Sequence, residues 1–288
     1  MSLTIAYTTS RRECEIQWFF DSLRRQLTDD LAPEIIVVDA YAESRRIIGA
    51  LHVVPKPTVW QGKHRLTKED WWAKSNALNT AIILCRTEWI AFVDDRSVLA
   101  PGWLESVRAA MAGNYAVCGS YEKRANLQVQ DGIVTGGEML GADTRTPGLY
   151  DFASWYGGSG ALPLEWCLAV QGFSEEMCDG LGSEDSMFGV CLRNSGYPVK
   201  YDSRMRLIED RTPGQIDGAL KRADKGLDRA AKSWDIVRAF HGKKTSQNSF
   251  DIRNVRDRVL LNGEPLDSIG PFGSAVDWYD QEPLSLMK

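Results

Sequence analysis

The sequence predicts an α/β fold: a mostly parallel central sheet flanked by helices, with a C-terminal helical and hairpin extension. Three observations carry it. Short apolar runs alternate with segments of helical period over the first hundred residues. Those runs are apolar on both faces, as strands covered on both sides must be. The chain then changes character, to glycine- and aromatic-rich segments and a basic stretch.

The elements follow in order. LTIAYT (3–8) is a strand that stops at Thr8-Thr9-Ser10. Ile16, Phe19, Phe20, Leu23 and Leu27 then share one helical face. EIIVVDA (34–40) is a second strand, and ALHVV (50–54) a third, closed by Pro55. LTKEDWWAKSNALNTAIILC (66–85) reads as a helix with Thr67 as N-cap, and its spacing turns Trp71 or Trp72 into the core. EWIAFV (88–93) is the fourth strand, and Pro101 opens a helix over 102–112.

In the second half, ANLQVQDGIVTGG (125–137) predicts a hairpin turned at Asp131-Gly132. DFASWYGGSGALP (151–163) reads as a loop. SEDSMFGVCLRNSG (183–196) reads as a helix capped by Ser183, with Met187, Phe188, Cys191 and Leu192 inward. YPVKYD (197–202) is a strand and 215–240 a basic amphipathic helix; VRDRVLLNGEPL (255–266) reads as a hairpin turned at Asn262-Gly263.

Composition bounds the function. The 288 residues are 43% hydrophobic and 25% charged, an ordinary globular profile with ample core. Net charge is −5, which disfavours wholesale coating of nucleic acid. Residues 215–258 nevertheless hold 11 Lys or Arg against 6 Asp or Glu. That is a solvated helical face or a dock for an anionic partner. The six cysteines are scattered without a CxxC, which gives neither a zinc pattern nor a disulfide framework. With no signal peptide and no apolar run of membrane length, the reading is a soluble, cytoplasmic protein.

In a covered parallel sheet, ligands gather at the carboxyl ends of the strands. Thr8 and Thr9 stand there after the first strand, Asp39 after the second, Asp94 and Asp95 after the fourth. An aspartate pair at a strand end suits a hard divalent ion, Mg²⁺ or Mn²⁺, or else caps the next turn.

Four motifs in order resemble the nucleotide-sugar glycosyltransferases of the GT-A fold. FVDDRSVLAPGWL is similar to the D-x-D region of the family-2-like group, TSRRECEIQWFFDSLRRQ (9–26) to its first helix, and KSNALNTAI (74–82) to its lysine-and-asparagine helix. Residues 155–202 look like the carboxyl half of a galactosyltransferase-type domain, with a Gly-rich loop, a "GF" turn and an "ED" opening a helix. The likeness covers residues 1–210, with 1–100 as a nucleotide-binding half and 101–210 as an acceptor and catalytic half; 211–288 is then an extension.

The resemblance implies a metal-dependent transferase that moves a hexose from a UDP-sugar to an acceptor hydroxyl. Thr8, Arg11 and Asp39 fall where such enzymes hold the nucleoside, and Lys74 where a cation meets base or diphosphate. Asp94 falls beside the ribose or donor sugar, and Asp95 on the Mn²⁺ or Mg²⁺ ion. Arg96 replaces the third aspartate of many relatives; it either pairs with phosphate or forms an ion pair with a neighbouring acid. Glu209 is the expected further metal ligand, with His241 its rival; His52 reads as packing and His64 is assigned nothing. Asp185 is the expected general base, with Glu184 holding hydroxyls, which implies inversion with a retaining outcome still open. Gly157 and Gly158 let the backbone approach the donor, and Trp155 or Tyr156 stacks on a sugar or base. The acceptor stays open among glycan, small molecule, protein and hydroxymethylpyrimidine DNA. The alternative is a nucleotide-sugar-binding module without catalysis. A nucleotidyltransferase is disfavoured, because TTSRRE stands where its Gly-rich triphosphate loop belongs.

Overall fold

The computed structural model describes residues 1–59, 73–145, 155–179, 183–212 and 238–269. Strands β1 (Leu3–Thr9), β2 (Glu34–Asp39), β3 (Leu51–Val53) and β4 (Trp89–Asp94) pair in parallel in the order β3-β2-β1-β4. All four are strands the sequence predicts. Alternation explains their double burial. On β1, Leu3, Ile5 and Tyr7 enter one apolar layer and Ala6 the other; on β4, Trp89, Ala91 and Val93 join the first layer, Ile90 and Phe92 the second.

The sheet becomes mixed beyond β4. It adds β5 (Ser97–Leu99), β6 (Ala116–Gln130), β7 (Ile133–Ala142), β8 (Ser159–Pro163) and β9 (Val199–Asp210), giving β3-β2-β1-β4-β8-β6-β9-β5 with β7 on β6. β8 runs antiparallel between β4 and β6, whereas β6 and β9 are parallel. The β6–β7 hairpin turns at Asp131 (φ 49°) and Gly132 (φ 74°), the two left-handed positions its tight turn needs.

Helices α1 (Ile16–Arg24), α2 (Lys74–Leu84), α3 (Trp103–Gly113), α4 (Leu164–Ala169), α5 (Glu175–Cys178), α6 (Glu184–Asn194) and α7 (Ile252–Leu260) cover the sheet. Nine residues of α2 are buried, so it is a core helix rather than an amphipathic one. Phe240, Phe250, Ile252 and Val255 join the apolar layer that holds α2.

Several expectations are corrected. The segment read as a loop over 151–163 contains β8, buried throughout; residues 155–158 are the loop, and 151–154 lie outside the described residues. The strand begun at 197–202 continues to Asp210. The hairpin expected over 255–266 is instead helix α7 and its exit. Ile252, Val255 and Val259 recur at helical spacing; the Asp251 carboxylate caps the helix, and Gly263 (φ 70°) supplies the left-handed residue beyond it. Ser183 holds the N-cap position of α6, but at φ 68° its side chain makes no capping bond. Thr67, Trp71, Trp72, His64 and nearly all of the basic helix lie outside the described residues. No helix among the described residues is long and apolar enough to cross a membrane.

Candidate active site

The site begins where β1 and β4 end. Thr8 and Asp94 are partners in the sheet register, and Asp95 follows directly. Lys74, the first residue of α2, sets its Nζ 2.7 Å from Asp94 Oδ1 and 3.9 Å from Glu184 Oε1. One ammonium thus spans the end of β4 and the start of α6. Its helix is aimed from a distance: Ala73 at the N-cap cannot accept through a side chain, and the Asp179 carboxylate accepts from Ser75 N (2.7 Å) and Asn76 N (3.1 Å) instead.

Gly157 and Gly158 join the same two ends. A β-carbon on Gly158 would lie 2.7 Å from Asp94 Oδ2, and one on Gly157 would lie 3.1 Å from Asp185 Cβ. The loop is glycine because the Asp94 carboxylate and the Tyr156 hydroxyl press on Gly158 and the Asp185 β-carbon presses on Gly157. Asp94, Glu184 and Asp185 therefore face one another across a single glycine pair and one lysine.

Arg11 Nε reaches both oxygens of Asp95 (3.1 and 3.0 Å), and Thr9 Oγ1 donates to Oδ2 at 2.7 Å. Arg211, just past β9, holds Glu209 Oε2 through Nε at 2.6 Å and lies 4.0 Å from Asp94 Oδ2. Sequence reasoning passed over Arg211, although it directly follows the acidic pair at 209–210. The Thr8 hydroxyl, Glu209 Oε1 and the Tyr156 hydroxyl are buried with no hydrogen-bond partner among the described residues. Buried polar atoms are normally paired, so these three point to a bound polar group.

Electrostatics separates the acids. Burial works to raise Asp94, but Lys74 and then Arg211 outweigh it and hold it below the usual carboxylate range. Burial and the neighbouring Asp185 push Glu184 up to about 7. Burial likewise raises Asp185, against the pull of Lys74, and burial raises Glu209 against Arg211. Lys74 is held charged: burial opposes this, and Asp94 and Glu184 prevail.

The contacts of Arg96, Asp39 and Trp155 bear on their expected placements. Arg96 is buried and left-handed (φ 51°); its guanidinium pairs with Asp210 and donates to Glu13 O at 3.1 Å. That is the ion pair with a neighbouring acid, not a phosphate contact. Asp39 is fully buried and accepts from Tyr41 N, Arg45 and His52, which leaves its oxygens engaged within the fold. His52 Nδ1 accepts from Ile47 N, so Nε2 carries the proton and donates to Asp39. Trp155 is 1% exposed and packs edge-on to Phe188, so it is core filler, whereas Tyr156 is half-buried beside Tyr121.

The carboxylates present are hard oxygen donors of the kind Mg²⁺ and Mn²⁺ take, and Glu209 Oε1 is an orphaned one. Among the described residues no group of three or more His, Cys, Asp or Glu converges as a ready-made cage. The set fits an ion with one or two protein ligands, the remainder coming from a substrate's phosphates. Asp95 and Glu209 are the candidates, each now held by an arginine. His241 makes no ligand cluster with them.

Residues 4–143 match the family model described as glycosyl transferase family 2. No curated protein matches the chain. Among solved structures, TarS 1–349 of S. aureus, crystallised with UDP-GlcNAc, is similar at TM-score 0.51 and 14% identity, over 83% of this chain and 71% of that one. GalNAc-T7, crystallised with UDP, GalNAc and Mn²⁺, is similar at TM-score 0.54 and 10% identity, over 83% of this chain and 48% of that one. Glucosyl-3-phosphoglycerate synthase of Mycobacterium tuberculosis is similar at TM-score 0.50 and 13% identity, over 84% and 80%. At these identities the likeness is one of fold.

Proposed function

We propose that this chain, a glycosyltransferase of the family-2-like kind on a GT-A fold, moves a hexose from a UDP-sugar to an acceptor hydroxyl with inversion. One observation carries the reading: Lys74 contacts both Asp94 and Glu184, and the adjacent Gly157 and Gly158 lie against Asp185 and Asp94.

Asp94 stays ionised under Lys74 and is suited to accept from ribose or sugar hydroxyls. Thr8, with its unpartnered hydroxyl, and Arg11 and Lys74, with their charges, suit the nucleoside and diphosphate. A divalent ion on Asp95 and Glu209 would supply positive charge to the departing diphosphate. Asp185 is the proton acceptor: its raised pKa gives it more basicity than an exposed aspartate, and it still ionises beside Lys74. As the acceptor oxygen bonds to the anomeric carbon, the bond from that carbon to the diphosphate oxygen breaks. The electron pair leaves with UDP, and the acceptor's proton passes to the Asp185 carboxylate.

The test is UDP release from a panel of UDP-sugars, with Mn²⁺ and with EDTA, for the native chain and for Asp95→Ala and Asp185→Asn. Metal-dependent release that both variants lose is the expected result. A chain that binds UDP yet releases none from any sugar nucleotide is a binding module, and the enzyme reading falls.

A further inference from the structure

A cavity of about 360 Å³ opens beside the site, bounded by Tyr121, Asp143, Arg145, Tyr156 and Asp185. Asp185 faces it from one side. Tyr156 reaches from this lining toward the β4 end: a β-carbon on Gly158 would lie 2.6 Å from Tyr156 Oη and 2.7 Å from Asp94 Oδ2. That hydroxyl is buried and without a partner among the described residues. The sequence pointed to Tyr156 but not to Tyr121, Asp143 or Arg145.

Resting on the transferase reading above, we propose that this cavity is the acceptor subsite and that it takes an uncharged, saturated sugar ring. Its shape argues for this. The Tyr121 and Tyr156 rings stand 5.3 Å apart at 58°, forming a corner rather than a parallel slot. The Lys123 ammonium covers one face of Tyr121 at 4.4 Å. A flat base wants an open face or two parallel ones. A chair-shaped ring offers apolar C–H patches in two directions and can use both walls of a corner.

Charge argues the same way. Arg145 clasps Asp143 (Nε to Oδ1 3.0 Å, Nε to Oδ2 2.8 Å) and also donates to Gly119 O at 3.2 Å. These two charges pair with each other, and the charges left at the lining, the Asp185 carboxylate and the Lys123 ammonium over Tyr121, are one of each sign. A nucleic-acid track needs cations facing successive phosphates. The clasp instead fixes a polar edge opposite the aromatic corner, the arrangement that orients a polyhydroxylated ligand.

The experiment offers two acceptors with the UDP-sugar that the release assay identifies: methyl hexosides, and a single-stranded oligonucleotide carrying 5-hydroxymethylcytosine. Transfer to at least one hexoside is expected. Tyr121→Ala then raises its KM about tenfold or more, while Tyr121→Phe stays within about twofold. UDP affinity by calorimetry should hold in both variants. Should Tyr121→Ala lose UDP binding as well, Tyr121→Leu, which keeps volume without a ring, is judged by the same KM. Transfer to the oligonucleotide alone, transfer to neither acceptor, or a hexoside KM unmoved by loss of the ring overturns the proposal. Failure of the native chain to bind UDP instead overturns the transferase reading.

Discussion

The end of β4 and the start of α6 treat their acids in opposite ways. At the β4 end each acid is matched to a cation: Asp94 to Lys74, Asp95 to Arg11, Asp210 to Arg96. Asp94 and Asp210 are held low there, against burial, by those partners. At the start of α6, two adjacent acids share one distant ammonium, and burial pushes both up. Lys74 is 2.7 Å from Asp94 and 3.9 Å from Glu184, so its charge acts more strongly on Asp94, while burial prevails at Glu184. One residue type thus yields a carboxylate held low on one side and, on the other, a raised one that we propose accepts the proton.

The sharpest way to break this contrast is Asp185→Asn. Transfer should fall about 10²–10⁴-fold, the usual share of a general base, with UDP affinity unchanged. Retained turnover would remove Asp185 from the chemistry. Next in size is Arg96→Met. The pair it breaks is nearly closed to solvent, with Arg96 5% and Asp210 2% exposed. Stability by chemical denaturation should drop about 3–5 kcal/mol, with UDP affinity unmoved. Weaker UDP binding at full stability would return Arg96 to the phosphates.

Much of the frame was legible in the sequence because local signals and burial agree there. β1, β2 and β4 are continuous apolar runs, and the ends of β1 and β4 bring Thr8 and Asp94 side by side. The Asp131-Gly132 turn was legible for the same reason. Asn262-Gly263 misled because the dipeptide that turns a hairpin also ends a helix, and the Asp251 cap went unread. β8 was hidden: Ser159 and Gly160 look like loop, yet β8 is buried between β4 and β6. At the site, sequence could nominate acids but not their partners. That Arg96 would turn to Asp210 depends on β9 returning past β5, a pairing of residues far apart in the chain, whereas Arg211 holds Glu209 from only two residues away.

The pH profile sharpens the contrast further. A base with a raised pKa is ionised above that value and loses activity as pH falls through it. The acidic limb of kcat/KM should therefore lie at higher pH than an ordinary exposed aspartate would set it, because burial raises Asp185 against the pull of Lys74. Glu184→Gln removes a neighbouring negative charge. Asp185 then stays ionised to lower pH, and the limb should move to the acid side. A limb that stays in place would uncouple the two acids.

The smallest effect tests the glycine pair that joins the two ends. An added β-carbon on Gly158 meets Tyr156 Oη at 2.6 Å and Asp94 Oδ2 at 2.7 Å, so Gly158→Ala must displace the Tyr156 ring and the Asp94 carboxylate. Stability should drop about 1–3 kcal/mol through overpacking, and UDP affinity should fall with it. On Gly157 the new carbon meets Asp185 Cβ at 3.1 Å, which a shift of a few tenths of an ångström relieves. Because that shift moves Asp185, the proposed proton acceptor, Gly157→Ala should lower kcat about threefold and leave UDP affinity alone. Steady-state kinetics beside UDP calorimetry separates the pair. If both alanines weaken UDP alike, the β4 end and the α6 start are one mechanical unit, and their division of labour rests on charge alone.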